Sequence, residues 1–498
     1  MKNNLVRTRY APSPTGLFHI GGARTALFNY IFAKAYGGSF IVRIEDTDIE
    51  RNVKDGIDSQ LKNLAWLKLF PDESLNNPGS YGPYIQSEKL SRYKDLANKL
   101  LLEGKAYRCF CKSSDLQKQR EESLNKGQTP KYSGKCRDLD VTEIQKRILD
   151  KKEFVTRLRW EDKDYVWTDL IKGVISIPSS ALSDIVIFKS NGFPTYNFAV
   201  VVDDYDMQIT HVLRGEEHIS NTPYQIAIKE ALELESDIQY GHLPIIIDTN
   251  GKKLSKRNLE LKQFIEDYKT MGFPSRAIIN YMCLLGWSPA DNVEVFSLTQ
   301  AIEAFDFNAI SSSPSTFDFK KMEWISKNYF QAMGEIEYID FVTPFVHIEN
   351  SLFKKNHNFC LLMFKDQISY ASELNTLVCD LFDIKKLTKK DVDVIVDEFG
   401  EHTIKTITDF RTNIKKIDDW NVDVIKYIIS DFCKESLIKG KNFYTCVRSV
   451  VTTKTSGPEL FKVIFLFGKE STLKHLKHFI DTAEVKKAKI TNVSKAAK

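Results

Sequence analysis

Two short segments, far apart in the chain, carry the residue types that handle phosphate groups. The first, PSPTGLFHIGG, covers residues 12–22 and leads into a helix-like run. Gly21 and Gly22 leave the backbone open to a ligand, and the free amides of a helix start favour an anion. His19 beside those amides can donate a hydrogen bond to a phosphoryl oxygen. On its own the segment is more typical of a tight turn with a surface histidine.

The second segment is KKLSKR, residues 252–257, which follows the strand-like run LPIIID. Lys253 and Lys256 are three residues apart, so both ammonium groups can point at one polyphosphate and stabilise charge that develops on a transferring phosphorus. A lone basic loop is also typical of a solvated surface. Only the combination with the first segment favours phosphoryl chemistry.

Three cysteines form a separate cluster. Cys109, Cys111 and Cys136 follow the pattern C-x-C-x24-C, and thiolates at such spacing can share a tetrahedral zinc ion. Eight cysteines in 498 residues do not predict a disulfide framework. The remaining five lie singly in apolar surroundings and are expected to be buried thiols: Cys283, Cys360, Cys379, Cys433 and Cys446.

The elements around the first segment predict a parallel sheet. Residues 5–10 alternate like a short strand, apolar residues recur at helical spacing from Gly22 to Gly37, and residues 39–48 form a second strand-like run. Strand, helix and strand make a βαβ unit, in which ligands bind at the carboxyl ends of the strands. The PSPTGLFHIGG loop is at that position.

The rest of the chain changes character twice. A helix is expected from about Ser87 to Gly104, and short strands with charged connections then continue to about residue 190, like an insertion. Residues 193–218 and 241–258 are strand-like again. From about 260 the apolar spacing is mostly helical, and no strand series is found after about 330. The predicted fold is a Rossmann-like α/β domain with an α+β insertion, followed by an all-helical half.

Composition excludes several classes of protein. The chain has 12% aromatic and 27% charged residues and a net charge of +4, which is ordinary for a globular protein and unlike collagen or a disordered chain. No apolar run reaches the ~18 residues of a membrane helix, and the start lacks a signal core. A cytoplasmic protein with no membrane partner is therefore expected. The lysine-rich end suits a polyanion or merely a solvated tail.

The motifs together resemble a known family. HIGG and KLSKR are similar to the HIGH and KMSKS signatures of class I aminoacyl-tRNA synthetases. More closely, RYAPSPTGLFHIGGARTALFNY, FIVRIEDTD, PTYNFAVVVDDYDMQITHVLRGEEH and KLSKR resemble bacterial glutamyl-tRNA synthetases in order and spacing, over nearly the whole chain. The resemblance implies a ligase that activates L-glutamate with ATP and Mg²⁺ to glutamyl-adenylate, then transfers it to the terminal adenosine of tRNA(Glu).

The resemblance also assigns residues. It implies catalytic roles for His19, Lys253 and Lys256, and ATP contacts by a set that overlaps them: Pro14, His19, Gly21, Gly22 and Lys256. It implies a glutamate pocket formed by Arg9, Ser13, Glu45, Tyr196 and Arg214, in which Arg214 holds the side-chain carboxylate and Glu45 the ammonium. Gly22 departs from the class I signature, which has a second histidine there.

For zinc, the resemblance leaves the fourth ligand open. Asp138 stands where some family members carry histidine or aspartate, and Tyr132 matches a tyrosine ligand of a shortened relative. We expect Cys109, Cys111, Cys136 and Asp138 to be the zinc ligands, with Tyr132 as the alternative fourth ligand. The metal would have a structural role.

The predicted domain plan follows the same resemblance. Residues 1–88 and 191–260 form the catalytic domain, 89–190 an insertion that binds the acceptor stem, 261–330 a stem-contact region, and 331–498 a helical domain that binds the anticodon. The acidic run VDDYD at 202–206 is expected to contact the acceptor end or to cap loops. A monomer is expected.

Four alternatives are weaker. A glutaminyl-tRNA synthetase would read the anticodon with β-barrels, whereas the second half of this chain is poor in strands. The shortened relative lacks an anticodon domain. A scaffold without catalysis would be free to lose His19, Lys253 or Lys256, and a generic nucleotidyltransferase would not need the long helical half.

Overall fold

The computed structural model describes residues 5–254 and 262–496, with side chains described as far as residue 484. The chain divides into two compact units, Met1–Ser326 and Lys327–Lys498. The first unit is mixed α/β and the second is helical. Each unit builds its own hydrophobic clusters.

A four-stranded sheet lies at the centre of the first unit, with the strand order β2–β1–β8–β9 and all neighbours parallel. Its residues Phe40, Ile41 and Val42 are all buried, as expected when helices cover both faces of a parallel sheet. The strands of the first unit are β1 Arg7–Tyr10, β2 Ser39–Val42, β3 Ala106–Cys109, β4 Val155–Leu158, β5 Tyr165–Asp169, β6 Gly173–Ile177, β7 Val186–Phe188, β8 His211–Gly215, β9 Gln239–Leu243, β10 Ile246–Ile247 and β11 Ser315–Thr316.

The first helix packs directly behind β1. Its buried residues include Ala23, Leu27, Ile31 and Phe32, and Gly37, with φ +64°, allows the chain to turn back into β2. The helices that begin in the first unit are α1 Ile20–Ala35, α2 Gly56–Trp66, α3 Leu90–Leu102, α4 Ser113–Asn125, α5 Val141–Leu149, α6 Tyr196–Asp206, α7 Thr222–Ala231, α8 Ile265–Met271, α9 Ser275–Leu284, α10 Leu298–Glu303 and α11 Phe319–Ala332.

Between α3 and α6 lies the irregular segment expected from the sequence. It contains a three-stranded antiparallel sheet, β3–β4–β7, and the hairpin β5–β6. The hairpin reaches the central sheet, because the amide of Leu170 donates to the carbonyl of Tyr240 on β9 at 2.8 Å. The insertion is thereby fixed next to the strand that carries His242.

One expectation about secondary structure is wrong. Residues 193–218 were strand-like in sequence, but the structure folds Tyr196–Asp206 as the helix α6 before the strand β8. Seven consecutive residues of this helix, 198–204, are buried. A helix buried on all sides has no amphipathic period, and its run of valines imitates a strand.

In the second unit, every regular element of the described residues is helical. Two hydrophobic clusters stabilise it, one around Phe410, Phe443 and Val447 and one around Phe330, Leu361 and Phe364. Its helices are α12 Glu335–Val342, α13 Ser351–Lys355, α14 His357–Leu362, α15 Glu373–Phe382, α16 Lys389–Phe399, α17 Thr403–Lys415, α18 Val422–Glu435, α19 Gly440–Thr452, α20 Leu460–Phe467 and α21 Lys469–Ala496. The predicted order, an α/β domain with an insertion and then a helical half, is confirmed.

Two smaller observations complete the fold. Within the described ranges, no helix combines the length and the apolar character needed to cross a membrane. Of the five cysteines expected to be buried, Cys283, Cys360 and Cys446 are buried, whereas Cys433 is half-buried and Cys379 is exposed. Cys379 faces solvent because the apolar residues of α15 that pack inward are its neighbours Leu374, Val378 and Leu381.

Candidate active site

A small cavity opens at the carboxyl ends of β1 and β8, where ligands bind in parallel α/β sheets. Its volume is about 240 Å³, below the roughly 300–1,000 Å³ of pockets for drug-sized ligands, so it suits a small molecule. The cavity brings together seven of the residues predicted from sequence. These are Arg9, Ser13, Gly21, Gly22, Glu45, Tyr196 and Arg214.

His19 and Pro14 lie beside the cavity but do not line it. His19 is the residue that precedes α1, and its Nδ1 accepts a hydrogen bond from the amide of Gly21 at 3.1 Å. The proton is therefore on Nε2, which donates to Oε1 of Gln263 at 2.8 Å. Pro14 is buried, and its carbonyl accepts from the amide of Val53 at 2.9 Å. His19 thus holds the start of α1 in place next to the two glycines.

The absence of a side chain at Gly22 is explained by Tyr10, a neighbour that the sequence analysis did not identify. A Cβ atom at this position would lie 2.8 Å from the hydroxyl of Tyr10. Tyr10 is itself buried, and its hydroxyl bonds to Oε1 of Gln60 at 3.1 Å. The hydroxyl of Tyr10 therefore occupies the space that a side chain at position 22 would need.

Arg214, on β8, is the strongest anion-binding group of the cavity. It is 5% exposed, and its hydrogen bonds go to four neutral side chains: His242 at 3.1 Å, Tyr196 at 3.5 Å, Gln225 at 2.8 Å and Thr222 at 2.8 Å. Within residues 5–254 and 262–496, no carboxylate pairs with it. A buried guanidinium held only by neutral partners keeps its charge available for an anionic ligand.

Arg9 and Glu45, which also line the cavity, do not pair with each other. Arg9 pairs with Asp204 at 3.2 Å and Glu45 with Arg43 at 2.9 Å. Burial raises the pKa of Glu45, while the adjacent Arg43 lowers it. A cationic group bound in the cavity would favour the ionised carboxylate further.

The acidic run 202–206 has a different role from the one expected. Asp203 is 0% exposed and Asp204 is 5% exposed, so neither can contact a tRNA end, and the expectation of such a contact is wrong for these two residues. Both belong to α6 and form ion pairs with Arg43, at 3.5 Å and 2.8 Å. The run fixes α6 to the strands beneath the cavity.

The lysine segment is only partly described. Lys253 is exposed and does not line the cavity, and its backbone pairs with Ile247. Lys256 lies outside the described residues, which resume at residue 262. The described chain after residue 261 lies next to the site. The side chain of Gln263 bonds to His19, and the backbone carbonyl of Gln263 accepts from the amide of Ile20.

Sequence reasoning missed several residues at this site. Tyr10, Thr25, Glu217 and His218 also line the cavity. Burial, together with the charge of Arg214, lowers the pKa of His218 to about 4, so this imidazole is neutral at pH 7. The segment GEEH that contains Glu217 and His218 was part of the quoted motif, but its pattern did not separate cavity residues from surface acids.

The cysteine cluster forms as expected. The sulfur atoms of Cys109, Cys111 and Cys136 all lie within 4.8 Å of one another. Tyr132 joins them, with its hydroxyl 3.3 Å from Sγ of Cys109 and 3.6 Å from Sγ of Cys111. Asp138 does not: its side chain is 83% exposed and pairs with Arg159 at 3.0 Å.

Comparison with known proteins agrees with this fold. Residues 5–324 match the family described as "tRNA synthetases class I (E and Q), catalytic domain", and residues 323–480 match an anticodon binding domain. A match over more than half of the chain shows the family. The chain belongs to the class I tRNA synthetases of the glutamate and glutamine type.

Relatives that match over nearly their full length distinguish between the glutamate and glutamine members of this class. The chain is 51% identical to a glutamate–tRNA ligase of Malacoplasma penetrans, over 96% of this chain and 99% of the relative. It is 48% identical to that of Mycoplasmoides gallisepticum, over 95% and 97%. A crystal structure of a glutamate tRNA ligase from Elizabethkingia meningosepticum, in complex with its amino acid, is similar with a TM-score of 0.83 and 28% identity, over 96% and 100% of the two chains. Within its class the chain is a glutamate–tRNA ligase, and the prediction from sequence is confirmed.

Proposed function

We propose that the cavity at β1 and β8 is the L-glutamate site of an ATP-dependent ligase that charges tRNA(Glu). The observation that carries this proposal is Arg214, a buried cation that has only neutral partners and lines a cavity of amino-acid size. Arg214 binds the side-chain carboxylate of glutamate. Glu45 binds the ammonium group, and Tyr196, Arg9 and Ser13 complete the lining of the cavity.

The triphosphate of ATP lies against the start of α1. Gly21 and Gly22 bring the backbone to the cavity edge without side chains, and the positive end of the helix favours phosphate there. His19 positions these amides. The α-carboxylate of glutamate attacks the α-phosphorus and pyrophosphate leaves, with Mg²⁺ accompanying ATP. A terminal ribose hydroxyl of the tRNA then attacks the adenylate carbonyl and releases AMP.

The lysine segment supplies positive charge to the leaving pyrophosphate, through Lys253 and Lys256. The position of Gln263 against His19 supports this role, since residue 263, a few residues after the lysine segment, contacts the residue that precedes α1. Insertion residues 89–190 contact the acceptor stem, residues 261–330 the stem, and residues 331–498 the anticodon. The ligase works as a monomer in the cytoplasm, where translation takes place.

Charging of purified tRNAs with radiolabelled glutamate tests the function. The wild type should charge tRNA(Glu) with glutamate and leave glutamine unused. Arg214→Ala should raise the KM for glutamate at least tenfold, about 1.4 kcal/mol, and change the KM for ATP much less. Arg51→Ala removes an arginine that is 72% exposed and serves as the control. Equal effects of Arg214→Ala on both substrates would remove Arg214 from the glutamate pocket.

We also propose that the cysteine cluster binds a structural zinc ion. A zinc tetrahedron with Zn–S bonds of about 2.3 Å has sulfur–sulfur edges of about 3.8 Å, and the sulfurs of Cys111 and Cys136 are 3.6 Å apart. Tyr132, which contacts both Cys109 and Cys111, is the fourth ligand in place of Asp138. The zinc ion would stabilise the segment between β3 and α5.

Metal analysis of freshly purified protein tests this assignment. One zinc per chain is expected in the wild type and in Asp138→Asn, and a large loss in Cys136→Ser. Tyr132→Phe should release zinc faster to a chelator. Cys379→Ser, at an exposed cysteine of the helical unit, is the control. Zinc loss in Asp138→Asn with none in Tyr132→Phe would reverse the choice of ligand.

A further inference from the structure

Behind Arg214 lies a buried pair that the reaction itself does not use. His242, on β9, is 0% exposed, and Asp169, at the end of β5, is 2% exposed. Nδ1 of His242 lies 2.5 Å from Oδ2 of Asp169, and Nε2 of His242 lies 3.1 Å from Nε of Arg214. The three side chains form one line that runs from the insertion hairpin to the cavity.

The direction of each hydrogen bond in this line is fixed. Nε of Arg214 can only donate, so Nε2 of His242 must accept. The proton of the imidazole is therefore on Nδ1, where it donates to the carboxylate of Asp169. Burial and the charge of Arg214 lower the pKa of His242, against the opposing effect of Asp169, which agrees with a neutral ring.

Asp169 is itself held rigidly. Its Oδ1 accepts from three backbone amides, those of Ile171 at 3.0 Å, Lys172 at 2.9 Å and His242 at 3.1 Å. Its other oxygen, Oδ2, is thereby directed at the imidazole. In the register of the sheet, His242 lies opposite Arg214 on the neighbouring strand.

We propose that Asp169 and His242 are positioning residues, which fix the guanidinium of Arg214 so that the cavity selects a carboxylate over an amide. The inference rests on the proposed glutamate site. A carboxylate placed directly on Arg214 would neutralise it and compete with the ligand. The neutral imidazole avoids this: it orients Nε of Arg214 and keeps the negative charge of Asp169 one residue away, while the two Nη atoms are held by the neutral side chains of Tyr196, Gln225 and Thr222.

Asp169→Asn tests the hydrogen-bonded chain from Asp169 through His242 to Arg214, because asparagine has nearly the same size and shape as aspartate. The Oδ1 atom can keep its three backbone amides, so that the new NH₂ group points at Nδ1 of His242 and donates to it. The imidazole proton must then move to Nε2, where it opposes the N–H of Arg214. The expected result is a KM for glutamate raised at least tenfold, with kcat and the KM for ATP changed less than threefold. The preference for glutamate over glutamine should fall as well.

His242 provides a second, independent test. His242→Gln retains an acceptor for Arg214 and should keep the KM for glutamate within about threefold of the wild type. His242→Leu removes the acceptor and should raise this KM at least tenfold. His211→Gln, at a half-buried histidine elsewhere on the sheet, and Asp184→Asn, at a buried acid of the insertion, are the matched controls and should leave the KM for glutamate unchanged.

The outcomes separate the two proposals. If the wild type does not charge glutamate, the proposed function fails. If the wild type charges glutamate but Asp169→Asn and His242→Leu leave its KM unchanged, or only lower kcat for all substrates alike, then the positioning role is overturned while the function stands. If Asp169→Asn does not fold, the difference in KM for glutamate between His242→Gln and His242→Leu decides the question alone.

Discussion

At the scale of single residues, the cavity shows why one signature position differs from the wider class. Class I synthetases carry a second histidine where this chain has Gly22. Here the buried hydroxyl of Tyr10 would lie 2.8 Å from a Cβ at that position. Gly22 and Tyr10 are therefore sterically coupled, so the effects of substitutions at the two positions should not be additive.

Gly22→Ala tests this coupling. The added methyl group must displace the hydroxyl of Tyr10 and break its bond to Gln60, so kcat/KM for charging should fall about ten- to a hundredfold. Tyr10→Phe removes the hydroxyl, and the double variant Tyr10→Phe/Gly22→Ala should then differ little from Tyr10→Phe alone. Gly21→Ala should cost less, since its Cβ meets only Nδ1 of His19, at 3.3 Å. Simple additivity of the two changes at positions 10 and 22 would contradict the steric explanation.

At the scale of elements, the sequence predicted what local patterns encode. The loop after β1 and the helix that follows were evident from PSPTGLFHIGG, because turn residues and helical spacing are local signals. Helix α6 was mistaken for a strand, because it is buried on every side. Asp169 and His242 gave no signal at all: they meet only because the insertion hairpin docks on β9, a contact between distant parts of the chain.

The ion-pair network under α6 also belongs to this scale. Arg43 is 0% exposed and contacts Glu45, Asp203 and Asp204. Arg43→Met would leave these buried carboxylates short of a partner, and breaking a buried pair costs about 3–5 kcal/mol. For a unit of 326 residues, whose unfolding entropy is about 2.1 cal/mol/K per residue, 3 kcal/mol lowers the melting temperature by roughly 4 °C, as followed by circular dichroism.

The matched control is Lys62→Met. Lys62 pairs with Asp58 on the exposed side of α2, where its side chain is 74% exposed, and surface pairs contribute little. Its melting temperature should equal that of the wild type. If the melting temperature decreased similarly in both variants, burial of Arg43 would not be the reason that its ion pairs stabilise the fold.

At the scale of the whole molecule, buried and half-buried histidines link stability to pH in both units. Burial lowers the pKa of His211, His218 and His242 in the first unit and of His475 in the second. In the unfolded chain, histidine titrates near ~6.5. Below that pH the unfolded state therefore binds more protons than the folded state, so acid favours unfolding.

The melting temperature should accordingly be constant above about pH 7 and fall as the pH is lowered from about 6.5. Because the pKa of His218 in the folded chain is about 4, the fall should continue to about that pH. His475→Gln removes one of these four histidines, one that does not line the cavity, and should make the decrease in melting temperature with falling pH shallower. His402→Gln, at a histidine that is 54% exposed, should leave it unchanged. A melting temperature that does not change between pH 7 and pH 5 would mean that these imidazoles take up protons in the folded chain as readily as in the unfolded one, and that their burial does not hold them neutral.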